Sequence, residues 1–544
     1  MKTNILLFIA VVYGTGLAEG SAYYSYDGRG NNVAHEMWGA VDNELARYQV
    51  PKTDYQDGKS QPSGWDRPES REITMALALP LGRHKKRAAR YTTDMLTYVA
   101  QFFDHDIDLT GGNSSESITM RVGADDEIYD PSGSGTVEMV INRSNWNNKR
   151  STDEPRQQLN QITAYLDGSV VYGSSYEVAD ALRSHLNGRM LTHDNNMLPY
   201  AKSDGSDCGF PCMANGSGKE KVMRAAGDVR ANVNPPVLAL QTLFVREHNR
   251  LAGEIKKNNP GYDDEMIYQE ARKWNVAYMQ AICFYEYMPM LGIAVPRYTG
   301  YKSDVDASID NFFSTVSYRY GHSEVGDVIF RLDDDGNEIK EGHALLFENF
   351  FHPTKALNAG IEPVLRGMAW RRQMEVDQIF ASSISHYLFG DPGNGGSDLS
   401  ARNIARARDH GIPDYNTCRV KMGLGRKSFQ QITSDQYVAK VLENIYTTDD
   451  KIDPYIGGLA EDHVNNSNLG ELFYESLLDQ YTRIRDGDRF YFENRANNLF
   501  SEEDIIEIKA TGLRDVILRN TDIKVLPDNI YMRMPSDEWP VASA

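Results

Sequence analysis

The sequence predicts a mainly α protein: one large domain with little β structure. Three observations lead there. Apolar residues recur at helical spacing through much of the chain, with capping and stop signals at the ends of the runs. Strand-like alternation is sparse, and no repeat of about 20–50 residues occurs. No linker separates two regimes of composition.

The elements follow in order. Lys2 precedes the apolar run Ile5–Tyr13 and the small residues that end in Ala18-Glu19-Gly20. That layout reads as a signal peptide over residues 1–20, hence export. The run falls short of the ~20 apolar residues a membrane span needs, and no later stretch reaches that length. Residues 21–74 are rich in Gly, Asn, Asp, Ser and Pro and read as an irregular arm ahead of a domain over 75–544. From Ala89 to Ile107, the residues Met95, Tyr98, Val99, Phe102 and Ile107 fall on one helical stripe. Pro235-Pro236 suits a first helical turn, and the run from Leu238 to Lys257 stops at Asn259-Pro-Gly. Asp263 caps a further long segment that ends near Gly292. The main strand candidate is Val328–Leu332, before the turn Asp334-Asp-Gly-Asn.

A hydrophobic fraction of 41% is enough to bury a core of this size. The net charge of −20 argues against a nucleic-acid partner, whose phosphates need basic surface. Sequons at Asn113, Asn142, Asn215 and Asn465 stand in polar, loop-like surroundings and agree with export. The four cysteines are too few for a disulfide framework. Cys208 and Cys212 could close a small loop, Cys283 reads as a buried thiol, and Cys418 has no assignment.

Five motifs carry possible chemistry. Gln101-Phe-Phe-Asp104-His105-Asp106-Ile-Asp108 sets a histidine among carboxylates at the end of an apolar helix, where the charges need partners or a metal. Such a histidine also serves simply to satisfy core polar groups. Thr163-Ala-Tyr165-Leu-Asp167-Gly-Ser169 offers converging hard oxygens of the kind Ca²⁺ takes; otherwise it is a polar turn before the strand-like Val170–Tyr172. Arg230, ahead of the proline-capped helix, points into a cavity or pairs with a carboxylate. His322 follows Gly321, which would let a bulky planar group approach the backbone. Asn403 and Arg406, three apart on one helix, face the same side.

Together and in this order the motifs resemble the animal haem peroxidase family of the peroxidase–cyclooxygenase superfamily. The resemblance runs from about residue 75 to 530 and takes in Arg246-Glu-His-Asn-Arg-Leu-Ala252 and Arg485-Asp-Gly-Asp-Arg-Phe490. The layout is most similar to secreted, peroxinectin-like members. It implies a haem b cofactor, a calcium ion, and reduction of hydrogen peroxide to water through a ferryl intermediate. Phenols, iodide, thiocyanate and bromide would be the donors. His105 would be the distal acid–base, with Gln101 and Arg230 beside it, and Asp104 the ester-forming carboxylate. His322 would bind the haem iron, with Asn403 accepting from its other ring nitrogen. Arg406, Asp108 and Arg319 would surround the haem propionates. Asp106 would ligate calcium with Thr163, Tyr165 (by its carbonyl), Asp167 and Ser169.

One position departs from the family. Where a second ester-forming Glu and a neighbouring Met often stand, this chain has Val233 and Asn234. At most one ester, through Asp104, and no sulfonium link are therefore expected, and with them a narrower halide range. His248 and His410 compete as iron ligands on composition alone; only His322 has the adjoining glycine. A fatty-acid dioxygenase would place a radical Tyr where Arg319 stands, three residues before His322. A cell-adhesion role finds no Arg-Gly-Asp or Lys-Gly-Asp tripeptide.

Overall fold

The apolar stripe upstream of His105 forms the helix Asp94–Ile107 in the computed structural model. That model describes residues 23–77, 85–202, 210, 212–216, 218, 220–355, 357–464 and 466–540. The leader-like residues 1–20, Cys208 and Asn465 lie outside the described residues.

The Asp94–Ile107 helix is apolar on nearly every side, and Met95, Leu96, Val99, Phe102, Phe103 and Ile107 are buried. Each such side chain contributes roughly 1.5–3 kcal/mol relative to exposure. Phe102 stacks on Phe244, ring centroids 4.9 Å apart. This docks the helix against Pro235–Asn258, which begins on its predicted prolines. Asn234 caps it, accepting from the Val237 amide at 2.9 Å. After the Asn259 stop, Asp263 caps Asp264–Ala281; the helix continues through a π turn at Ile282–Tyr287 and ends at Leu291. Gly292 follows at φ +88°, where a side chain would run into the backbone of Asn466 and Ser467. Cys283 is buried within the π turn, and Cys418 is buried too.

Residues 23–69 hold few regular elements, yet they pack firmly. Leu45 and Val50 join the main core, and the Tyr24 hydroxyl donates to Asp488 at 2.6 Å.

β structure among the described residues is confined to two-stranded sheets. Val328–Ile329 pairs with Ala344–Leu345, a shorter strand than predicted. The largest sheet, Gly112–Arg121 against Glu138–Ser144, was not foreseen. Its outer face is polar, so its alternation is faint in the sequence. Its inner face (Met120, Met139, Ile141) packs on Ala401 and Ala405 of the helix Leu399–Asp409. Two sequon asparagines, Asn113 and Asn142, therefore sit in strands, not loops. Val170–Tyr172 is likewise not strand-like: Ser169–Tyr172 forms a helical turn after Gly168 at φ +77°. No helix among the described residues is long and apolar enough to cross a membrane.

Candidate functional site

Helical spacing puts Gln101, Asp104 and His105 on one face of the Asp94–Ile107 helix, at i, i+3 and i+4, and Asp108 follows as its extended C-cap. All four line a cavity of about 340 Å³, together with Arg230, Val233, Arg319 and His322. Residues up to 302 positions apart in the chain, from Thr97 to Leu399, thus meet at one apolar-walled space that Phe350 and Leu388 complete.

His105 is buried, 3% exposed. Its Nδ1 faces Asp228 Oδ1 at 3.6 Å, and its Nε2 lies 3.5 Å from the Gln101 amide nitrogen. Gln101 is itself held, because Asn234 donates to its side-chain oxygen at 3.0 Å. Burial, reinforced by the Arg230 guanidinium, lowers the His105 imidazole to about 3. It is therefore neutral at neutral pH.

Arg230 is fixed from behind. Its Nε and Nη2 donate to the two carboxylate oxygens of Asp228 at 2.9 and 2.8 Å. Nη1 stands 3.7 Å from Asp104. Asp228 is buried; although burial opposes its charge, the Arg230 charge and the hydrogen bonds Arg230 donates hold its carboxyl below the ordinary value. Asp104 is shifted the other way, upwards, by burial and by the nearby Asp108 charge. Asp108 keeps one buried carboxylate oxygen without a hydrogen-bond partner.

His322 sits in the turn Gly321–Glu324. Gly321 lines the cavity, and a side chain there would meet nothing nearer than Glu324 at 3.9 Å, so the glycine keeps that wall open. Burial lowers His322 to about 3, leaving a neutral ring fit to ligate a metal. Its Nδ1 is 2.9 Å from Asn403. The orientation differs from expectation: the Asn403 amide nitrogen faces His322, while its oxygen accepts from Arg319 Nη1 at 3.0 Å. Arg319 is the cause, since it demands the acceptor. Turning the amide by 180° would put its oxygen on His322 Nδ1, and Arg319 would then need another acceptor.

Arg406 is not brought to the cavity. Its guanidinium donates to Ser144, Asp409 and the Asn142 carbonyl at 2.8–2.9 Å. His248 and His410 do not line the cavity. The first lies between the Tyr172 hydroxyl and the Gly188 carbonyl, the second between Asn311 and Ser144.

Asp106 points away from the cavity, into the oxygen-rich loop. It accepts from the Val170 amide at 2.8 Å and the Gly168 amide at 3.2 Å. Ser169 Oγ donates to its carbonyl at 2.6 Å, and Thr163 donates to Asp167 at 2.9 Å. The Tyr165 carbonyl, expected as a ligand, accepts from the Asp167 amide at 2.9 Å. Both carboxylates are fully buried, and burial raises both, Asp106 to about 7. Two dehydrated carboxylates ringed by hydroxyl and carbonyl oxygens suit a hard divalent cation.

Three residues escaped the sequence reading. Asp228 stands two before Arg230 and could have been flagged as its carboxylate partner. Asn234 stands out in the sequence only as a departure from the family, not as the partner of Gln101. Tyr455, whose hydroxyl accepts from Asn403 at 3.0 Å, lies in no motif.

A family model described as animal haem peroxidase matches residues 23–531. Peroxinectin A of Dictyostelium discoideum is 32% identical, covering 98% of this chain and the whole of that protein. Dual oxidase of Drosophila melanogaster is also 32% identical over 98% of this chain, which spans 36% of that longer protein. The solved structure of peroxidase A from Dictyostelium discoideum superposes with a TM-score of 0.86 at 32% identity, covering 94% of this chain and 99% of that one. The chain belongs to the animal haem peroxidase family.

Proposed function

We propose that the protein is a secreted haem peroxidase that reduces hydrogen peroxide to water and oxidises small donors: phenols, iodide, thiocyanate and bromide. The observation that carries this reading is a single cavity lined by two neutral histidines, His105 buried and His322 half-buried. Arg230 stands beside one and Asn403 behind the other. Haem held by His322 would supply the iron that binds peroxide and stores its oxidising equivalents.

The protein's own residues do the rest. A proton on His105 Nδ1, facing Asp228, leaves Nε2 with a free lone pair to take the peroxide proton and return it to the departing oxygen. Arg230, already locked on Asp228, offers a fixed positive charge where negative charge develops. Gln101, oriented by Asn234, positions the bound water or peroxide. Asn403, turned so that its oxygen accepts from Nδ1, fixes the tautomer of His322. Arg319 and Asp108, which line the cavity, would face the propionates, Arg319 binding them once it leaves Asn403. Arg406 needs a side-chain rotation to join them.

Asp104 lines the cavity and can form the one ester, whereas Val233 offers no carboxyl for a second. Calcium between Asp106 and Asp167 would stiffen the helix end next to His105. Residues 1–20, with their leader-like pattern, support export.

The test is His322→Ala, purified with haem supplied. Haem content should collapse and the absorption spectrum should lose its histidine-ligated form. A variant with normal haem content and spectrum sinks the proposal.

A further inference from the structure

The peroxide chemistry leaves a second cavity, of about 350 Å³, unused. Tyr285, Tyr298 and Tyr491 wall it, and Arg297 and Arg485 stand at it. Arg485 is neutralised by Asp486 and lies over the Tyr298 ring at 5.5 Å. Lys509, also lining it, is paired with Glu493. Arg297 is exposed and has no carboxylate partner among the described residues. The Tyr298 hydroxyl is buried and without a hydrogen-bond partner. A pocket with aromatic walls, an uncompensated cation and an orphaned hydroxyl is complementary to an anionic aromatic molecule.

Aromatic rings in edge-to-face contact join this cavity to the first. Tyr318 lines the haem cavity, and its hydroxyl is hydrogen-bonded to that of Tyr481. The Tyr481 ring is 6.2 Å from Phe284, Phe284 is 5.5 Å from Tyr491, and Tyr491 is 4.8 Å from Tyr298. At the far end the Tyr491 hydroxyl donates to Glu493 at 3.2 Å, which gives its proton somewhere to go when the ring is oxidised.

We infer that the second cavity binds anionic phenols and oxidises them through the Tyr318–Tyr481–Phe284–Tyr491 relay. The inference rests on the haem peroxidase reading, which supplies the oxidant. After peroxide is reduced, the haem site lacks two electrons. One electron leaves Tyr491 along the relay while its phenolic proton passes to Glu493. The phenol bound beside it then gives Tyr491 one electron and one proton and departs as a phenoxyl radical. Glu493 releases its proton to solvent, which restores the proton used at the haem site. Two such passes close the cycle: one hydrogen peroxide and two phenols yield two waters and two phenoxyl radicals.

The experiment uses haem-loaded enzyme in halide-free buffer with phenol red, a bulky sulfonated phenol, and in separate assays with iodide alone. Tyr491→Phe and Glu493→Gln should lose most phenol red oxidation yet keep iodide oxidation, which also shows that they fold. Two readouts are independent of turnover. Arg297→Glu should weaken phenol red binding to the peroxide-free enzyme by about tenfold, as expected for one charge reversal in a partly exposed pocket. The tyrosyl radical signal trapped after peroxide without donor should be lost or reshaped in Tyr491→Phe. Unchanged phenol red oxidation in Tyr491→Phe overturns the relay, and unchanged binding in Arg297→Glu overturns the site. A wild type that oxidises neither donor refutes the peroxidase reading and the relay with it.

Discussion

Asp228→Asn isolates what holds Arg230 in place. Asp228 accepts from Arg230 Nε, Nη2 and backbone amide at 2.8–2.9 Å. The asparagine keeps the shape but removes the charge and one acceptor. Losing one partner of a buried ion pair costs ~3–5 kcal/mol. Here Arg230 keeps 21% of its side chain exposed and has Asp104 at 3.7 Å as a second carboxylate. The discount brings the expected loss to about 2 kcal/mol. A fixed cation facing developing charge is worth about 100–1,000-fold in rate, and a loosened one should lose roughly 10–100-fold of it. Urea unfolding reads the first number, and stopped-flow reaction of the haem-loaded enzyme with peroxide reads the second. A variant within about 0.5 kcal/mol of the wild type, reacting with peroxide at the wild-type rate, would refute the reasoning.

Other perturbations reach the supporting structure. A calcium chelator should lower the unfolding free energy by about 3 kcal/mol if calcium was present at about a hundred times its Kd. Asp167→Asn should remove that sensitivity; no calcium by elemental analysis and no chelator effect would count against the site. His248 gives a pH dependence. Burial lowers its imidazole from 6.5 to about 4, so the unfolded chain binds the proton first. Its contribution is complete above pH 6.5 and declines as pH falls towards 4, by about 3 kcal/mol. His248→Gln should flatten that part of the stability–pH curve, and an unchanged slope would contradict the assignment.

Much of the site was legible because its parts lie on short local patterns. The i, i+3, i+4 spacing of Gln101, Asp104 and His105 requires only a helix, and the Phe102–Phe244 packing docks it in place. Arg230 could be read because the proline-led helix fixes where the preceding turn points. What could not be read were contacts set by tertiary placement. Asn403 and Arg406 share a helix face, yet the unforeseen hairpin supplies Asn142 and Ser144, which draw Arg406 aside. The Asn403 amide orientation depends on Arg319, 84 residues away in the chain. Tyr455 became visible only once its helix was in place. Val170–Tyr172 looked like a strand because β-branched residues dominate it, but Gly168 and the amides bound by Asp106 wind it into a helical turn.

The most direct test of the central claim is His105→Ala in haem-loaded protein, followed by rapid mixing with hydrogen peroxide. His322 and the iron should be untouched, so the resting spectrum should stay histidine-ligated. The rate of reaction with peroxide should fall by ~100–10,000-fold, the range a positioned acid–base supplies. An intact spectrum with an undiminished peroxide rate would contradict the account.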